Sequence, residues 1–447
     1  MKTYQDLQEQ TTEKQRMEFC MQAIREHASD PKTQEAEIAE QYFNGLNVTI
    51  ERYDKFITDV YGQQVKDIWS PNHKIKCHLY PYFITQSVLT LLGNGISFSD
   101  ESTLEKLGKK FEHTMMKLMI DSLNGGIAFG FWNLDHLERF KLTEFVPLYD
   151  EETGRLSAGI RWWQMNPNKP LRITLFEIDG VTEYIKRKNS DIEILVDKKP
   201  YVSIISSSAT GTEIAQGEPY AGFPIIPLEN INGKSAIYGN RDTLDAYDLI
   251  ASKLVNNIDG GEFIYWIIKN APYMQDDPTE LQAFLQKLRT SGVVATGEGQ
   301  EVDSHTVEIP VEATDSGLEF LRKQLFSDFM AFDPESVSGG ADTATRIIAA
   351  YEPLNEKLDL LEYQVTEFIE NLLALIGIDD VPTYTRSIIT NKAEEIQNVI
   401  QAASFTSEDY TTQKLLELLG DADKVADVLQ NKDREEYSRF SAVTENE

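Results

Sequence analysis

Asp333-Pro334-Glu335-Ser336-Val337-Ser338-Gly339-Gly340 is a loop of small residues and breakers, and the run behind it sets the architecture. From Ile347, the residues Tyr351, Leu354, Leu358, Leu361, Val365, Phe368, Leu372 and Leu375 recur at alternating steps of four and three. That spacing is one seam of a helix. Asp342 or Thr343 can cap its start, and Gly377 suits the left-handed residue past its end. Roughly thirty residues at ~1.5 Å rise make a rod of roughly 50 Å, which Pro353 is expected to bend. The seam alone is what core packing along a long helix produces in any α-rich protein. The glycine-rich, lysine-free loop in front of it is the unusual part.

Working back from the loop, a helix is expected over 316–332, with Leu318, Leu321, Leu325 and Phe329 facing inward. A second is expected over 240–259, with Leu244, Tyr247, Ala251, Leu254 and Ile258 on one face. Between them the pattern gives a compact α/β insert: a strand over 263–268, a helix over 278–290 and a strand pair near 292–296 and 306–311. Further back, 127–132, 140–147, 160–165, 171–178 and 183–187 read as strands parted by turns. A meander packed on the preceding helices is the economical arrangement. Those helices are expected over 32–45, 48–62, 72–92 and 101–123, while 1–31 reads as polar, helical and partly mobile. Beyond Gly377 come Asp379-Asp380-Val381-Pro382 and helical segments over 391–403, 407–419 and 422–430.

Composition narrows the function. The 447 residues suffice for more than one domain. Lysine and arginine number 42 against 73 acidic residues, a net charge of −31, which argues against gripping nucleic acid through a broad basic face. It remains compatible with letting nucleic acid slide past. Two cysteines, Cys20 and Cys77, cannot build a disulfide framework. No signal-peptide core and no membrane-length apolar run is found, so a soluble, intracellular protein is expected.

Catalytic signatures are weak. His73 and Cys77 share a face of the helix expected over 72–92, but His78 is rotated away, so a metal would need distant partners. Gly297-Glu298-Gly299 lacks a third glycine, and Ser338-Gly339-Gly340 has no lysine after it. The pairs Asp276-Asp277 and Asp379-Asp380 read as solvated turns. No catalytic, cofactor-binding or metal-binding residue is assigned. The sparse cations are worth placing: Lys253 on the first bracketing helix, Arg322 and Lys323 on the second, Lys287 and Arg289 in the insert. Solvated faces with neighbouring partners are one reading of these; a few positive points on an acidic surface are the other.

Several local patterns occur in a familiar order over roughly residues 35–430: the Tyr42–Leu46 segment, Leu91-Leu92-Gly93-Asn94-Gly95-Ile96, Gly126-Ile127-Ala128, Pro147-Leu148-Tyr149-Asp150 and Ile160-Arg161-Trp162-Trp163. Pro224–Asn232 then precedes Asp245-Ala246-Tyr247-Asp248 with Ser252. Ser338-Gly339 stands before the long helix, and Arg386, Asn391 and Glu394 after it. In this order the chain resembles the portal proteins of tailed bacteriophages, in the long-tailed siphophage branch.

The resemblance implies an α+β, multidomain portal fold. Residues 1–239 would be a wing of helices and β meander, 240–259 and 316–332 two stem helices, and 260–315 an α/β clip. Residues 333–343 would be a tunnel loop, 344–377 a long wing helix, and 378–447 an α-helical crown. It also implies a ring of about twelve subunits at one capsid vertex of the virion, assembled in the host cytoplasm. Double-stranded DNA would pass non-specifically through its axis. The implied protein partners are the large terminase subunit, the head-tail adaptor, and major capsid and scaffolding proteins; no membrane is involved. Lys253, Arg322, Lys323, Ser336, Ser338, Gly339 and Gly340 become DNA-channel candidates, with Lys287 and Arg289 as motor or adaptor contacts in the clip. The loop departs from a DNA-gripping one in having no basic residue, so any contact there must come from backbone, from hydroxyls such as Ser336 and Ser338, or be steric. The competing reading is an acidic, multidomain, metal-dependent enzyme with its site at the wing–insert junction.

Overall fold

Thr3 and Thr12 start the first helices, α1 (Tyr4–Gln8) and α2 (Glu13–Ala28), each in a capping box closed by Asp6 and Gln15. The reciprocal bonds satisfy end donors that would otherwise be open. Asp30 with Pro31 behind it does this for α3 (Pro31–Phe43), and Asn47 for the single turn α4 (Val48–Glu51). The computed structural model describes residues 2–58, 62–68, 70–188, 190–208, 211–216, 220, 222–259, 263–269, 301–307, 311–337, 344–387, 392–419, 424, 425 and 428. These fall into two compact units, residues 1–330 with 358–385 and residues 331–357 with 386–447.

In the first unit the helix expected over 48–62 stops at Glu51. The β-forming Phe56-Ile57-Thr58 makes β1 (Phe56–Thr58), paired antiparallel with β2 (Gln64–Lys66). Residues 72–78 are not helical either, and α5 runs Leu79–Leu92. After β3 (Ile96–Phe98), the helix expected over 101–123 is two, α6 (Glu101–Leu107) and α7 (Phe111–Gly125). Gly108 breaks it: φ is +88°, and a Cβ there would stand 3.0 Å from the Asp135 carbonyl oxygen.

Seven strands follow: β4 (Ile127–Asn133), β5 (His136–Lys141), β6 (Phe145–Tyr149), β7 (Leu156–Trp163), β8 (Leu171–Glu177), β9 (Gly180–Lys186) and β10 (Ile192–Lys199). The last five form an antiparallel meander in sequence order. The strand expected over 140–147 is broken by a 3₁₀ turn, Leu142–Glu144, so its halves join different sheets. β11 (Ser203–Ser208) pairs with β12 (Gly211–Gln216), and β13 (Ile225–Glu229) joins β4 and β5. The Phe140 and Phe145 rings still meet at 5.6 Å.

α1 and α2 contribute to the core. Leu7, Phe19, Cys20, Ala23 and Ile24 pack with Val146, Leu148, Ile160, Ile173, Leu175 and Tyr184 of the meander. Arg16 pairs there with Glu177, which also takes Lys198 at 3.0 Å. A charged residue on an apolar stripe hid this contact from periodicity.

The excursion follows as α8 (Arg241–Asp259), β14 (Phe263–Lys269), β15 (Glu301–Val307) and α9 (Val311–Asp328). β14 and β15 pair antiparallel from Phe263↔Val307 to Lys269↔Glu301. Of the strand expected over 306–311, Thr306 and Val307 lie in β15, residues 308–310 lie outside the described residues, and Val311 already belongs to α9, the helix expected over 316–332. The helix expected over 278–290 and the strand near 292–296 lie outside the described residues.

α10 (Ala344–Ile376) is one helix of 33 residues that continues through Pro353. Its seam is buried from Tyr351 to Leu372, and Gly377 adopts the left-handed conformation. The cap candidates Asp342 and Thr343 lie outside the described residues. In the first unit Phe368 lies over Gly130, where a Cβ would meet the ring at 2.4 Å. β16 (Pro382–Tyr384) then pairs with β3.

Asp380 is not a bare turn residue. It accepts from the Ser99 and Asp100 amides, both at 3.1 Å, and from the Thr103 hydroxyl at 2.8 Å, at the start of α6. Desolvation opposes its charge, but those bonds and that from the Val381 amide outweigh it and hold its pKa at about 2. The Asp276-Asp277 pair lies outside the described residues.

In the second unit Phe332 stacks on Tyr351 at 3.9 Å, and α11 (Lys392–Ala402) packs against α12 (Glu408–Leu419). Most of the helix expected over 422–430 is outside the described residues.

Candidate functional site

The face of α8 turned into the protein is polar. Of the apolar stripe Leu244, Tyr247, Ala251, Leu254 and Ile258, only Leu244 is buried, and Ile258 is 63% exposed. The buried positions are instead Asp248, Ser252 and Asn256, with Leu244. Each binds an alternate residue of 72–78. Asp248 Oδ1 accepts from Cys77 N at 2.9 Å, Ser252 Oγ from Ile75 N at 2.9 Å, and Asn256 Oδ1 from His73 N at 2.6 Å. Asn256 Nδ2 also donates to the His73 carbonyl at 3.2 Å.

The match is geometric. Four helical residues advance ~6 Å, and two residues of extended chain advance ~6.6 Å, so an i, i+4, i+8 stripe meets every second backbone unit. Residues 72–78 satisfy their backbone through α8 instead of through a helix of their own. That overrides the capping signal at Asn72.

The ends of the ladder are anchored too. Asp248 Oδ2 accepts from Asn47 Nδ2 at 2.8 Å, Asp245 takes the Tyr42 hydroxyl at 2.5 Å and the Thr49 hydroxyl at 2.7 Å, and His73 Nε2 lies 2.7 Å from Asp259. Burial raises the Asp248 pKa against its hydrogen bonds from Cys77 and Asn47. His73, Cys77 and His78 therefore do not share a helix. Burial and then Asp248 push the Cys77 thiol to about 11, and burial pushes Cys20 to about 12, so both are protonated at neutral pH. Among the described residues no group of three or more His, Cys, Asp or Glu is arranged to hold a metal. No described helix is long and apolar enough to cross a membrane.

α9 packs against α8 and is rooted in aromatic rings. Phe329 stacks on Phe83 at 4.6 Å, and Phe326 meets Phe83 edge-on at 5.0 Å. Leu325 and Phe329 are buried, whereas Leu318 and Leu321 are only half-buried.

The cations divide on this pair. Lys253 is exposed on α8. Arg322 lies over the Phe326 ring at 4.7 Å, and Lys323 pairs with Glu319 one turn back at 2.6 Å. Lys323 thus begins as a partnered surface charge.

In the second unit Pro334–Val337 forms a 3₁₀ turn. Ser336 donates from N and Oγ to the Asp333 carbonyl, at 3.1 and 2.6 Å, so its hydroxyl is engaged within the turn. The Ser336 carbonyl accepts from Arg346 Nη2 at 2.7 Å. A guanidinium therefore stands at the foot of a loop that has no basic residue of its own. The signal was in the sequence, just past the loop's 333–343 boundary. Ser338, Gly339, Gly340, Lys287 and Arg289 lie outside the described residues.

A mixed helix-and-sheet body in which α8 leads to a strand pair and α9 follows it, with a pinned turn and a 33-residue helix next in the chain, defines a multidomain α+β protein. The chain belongs to the phage portal protein family of the SPP1 Gp6-like type, whose sequence profile matches residues 34–438. It is similar to the portal protein of Bacillus phage SPP1, 24% identical over 398 residues that cover 79% of this chain and 75% of that one. The portal protein of Clostridium phage phiCD119 is 24% identical over 343 residues, 70% of this chain and 73% of that one. Among solved structures, a chain in the neck of a native gene transfer agent particle, computed with C12 symmetry, aligns over 75% of this chain and 87% of its own, with a TM-score of 0.39 and 12% identity.

Proposed function

We propose that this portal protein closes into a ring of about twelve copies at one vertex of the phage head and forms the channel through which double-stranded DNA enters and leaves. The α8–α9 pair, in a chain matched to the portal family over residues 34–438, carries the reading. In it residues 1–239 supply the wing, α8 and α9 the stem, and β14–β15 the root of the clip that meets the terminase motor and the head-tail adaptor. The turn at Pro334–Val337 begins the tunnel loop, α10 is the long wing helix, and α11 and α12 belong to the crown.

Twelve helices about 10 Å across, set side by side in a circle, leave a bore of roughly 30 Å, wider than a duplex. The half-buried apolar residues of the pair, Tyr247, Leu254, Leu318 and Leu321, suit a helix pair that has neighbours in a ring. An acidic wall repels phosphate and does not hold DNA by releasing its counterions. Lys253, Arg322 and Lys323 then give brief, sequence-blind contacts, and Arg346 orders the loop foot.

The protein performs no chemistry in this account; a separate ATPase supplies the work. The test is packaging into heads assembled with and without this protein, read as nuclease-protected DNA. Full-length protected DNA in heads lacking it would overturn the proposal.

A further inference from the structure

We propose that a groove between α2 and the turn joining β9 to β10 is a docking site for an acidic amphipathic helix of a separate protein. The groove has a volume of about 670 Å³. Met17, Met21 and Ile192 line it, partly buried side chains packed on the core beneath α2. Lys14, Arg25 and Lys186 stand among its ten lining residues. That is a concentration of cations on a chain holding 42 in 447 residues.

Arg16, Lys198 and Lys199 are each joined to a carboxylate. Among the described residues, the three groove cations form no ion pair. Glu18 and Asp191 are the acidic residues of the lining, and the cations outnumber them where the whole chain has the opposite balance. An apolar floor with a cationic rim fits a helix carrying Leu or Met on one face and Glu or Asp beside it. The two thioethers let the floor adapt to its occupant. A DNA duplex fits less well, since the apolar floor of Met17, Met21 and Ile192 offers it nothing.

The occupant is assigned to another protein because α2 precedes residue 34, where the match to the portal family begins. One wall is thus built from a segment outside the matched portal sequence. The inference does not depend on ring formation, because binding is read per chain.

The probe is a fluorescein-labelled amphipathic peptide of about 20 residues with Leu on one face and Glu on the other, and a twin with Lys for Glu. Anisotropy with the full chain should show the Glu peptide bound at least about tenfold tighter than its twin. A Lys14→Glu, Arg25→Glu double variant, both positions exposed, should lose about that factor while keeping its melting temperature. A photo-crosslinker at Gln22 should join the Glu peptide. Equal binding of the two peptides, or unchanged binding by the double variant, would overturn the proposal. So would Gln22 crosslinks between copies of this chain, or displacement of the peptide by a short DNA duplex.

Discussion

Asn256 holds both polar groups of the His73 residue backbone, accepting from its N–H at 2.6 Å and donating to its carbonyl at 3.2 Å. This is the outermost rung of the ladder that binds residues 72–78 along α8. Asn256→Ala leaves both groups without their partner in a partly buried setting and should cost about 1 kcal/mol. The check is the urea midpoint together with hydrogen exchange at the His73 amide, which should speed up in the variant. Unchanged exchange would mean that the ladder does not hold the segment.

Gly130 and Phe368 test the docking of α10 in the first unit. A methyl on Gly130 would meet the Phe368 ring at 2.4 Å, so Gly130→Ala should destabilise by about 1–3 kcal/mol through overpacking. Adding Phe368→Leu should recover part of the loss, since the branched chain leaves room where the ring stood. A double variant that merely sums two losses would show that these residues are not in contact.

His27 makes the fold sensitive to acid. Burial lowers its pKa below 6.5, outweighing the bond to the Leu142 carbonyl and the attraction of Asp30. The folded ring binds a proton less readily than the unfolded chain. Its contribution is therefore complete above pH 6.5 and is lost as pH falls through the lower folded value. Melting temperature should drop between about pH 7 and about pH 5, and His27→Gln should flatten that drop. Equal slopes in variant and parent would remove His27 as the cause.

How much of this was readable in the residues depends on where satisfaction came from. The α10 seam from Tyr351 to Leu372 was legible because apolar spacing and burial coincide there. The meander was legible because alternation and turns agree. α8 misled: its apolar stripe is half-exposed, while Asp248, Ser252 and Asn256 face inward. A polar stripe at four-residue spacing is visible in sequence, but only the partner segment shows which way it faces. Gly108 was visible as a residue, whereas the carbonyl that forbids a side chain there comes from Asp135, distant in the chain. Of the channel candidates, Lys323 was placed correctly on its helix but begins engaged with Glu319. Arg346 was missed because the loop was read without the turn that follows it.

The channel reading makes its own prediction. Arg322→Glu with Lys323→Glu should leave assembly intact but shorten or slow packaging, because neither is one of the buried residues of α9, Leu325 and Phe326, and the change at Arg322 gives up only its place over the Phe326 ring. Nuclease-protected DNA length per head is the measurement. Wild-type length in those heads would remove both residues from the channel.

The most direct test of the account is the mass and axial view of purified protein. Native mass measurement should give about twelve times 50.8 kDa, and class averages should show a closed ring with a hole of roughly 30 Å. A particle of one or two chains, or a ring whose opening cannot admit a duplex, would contradict it.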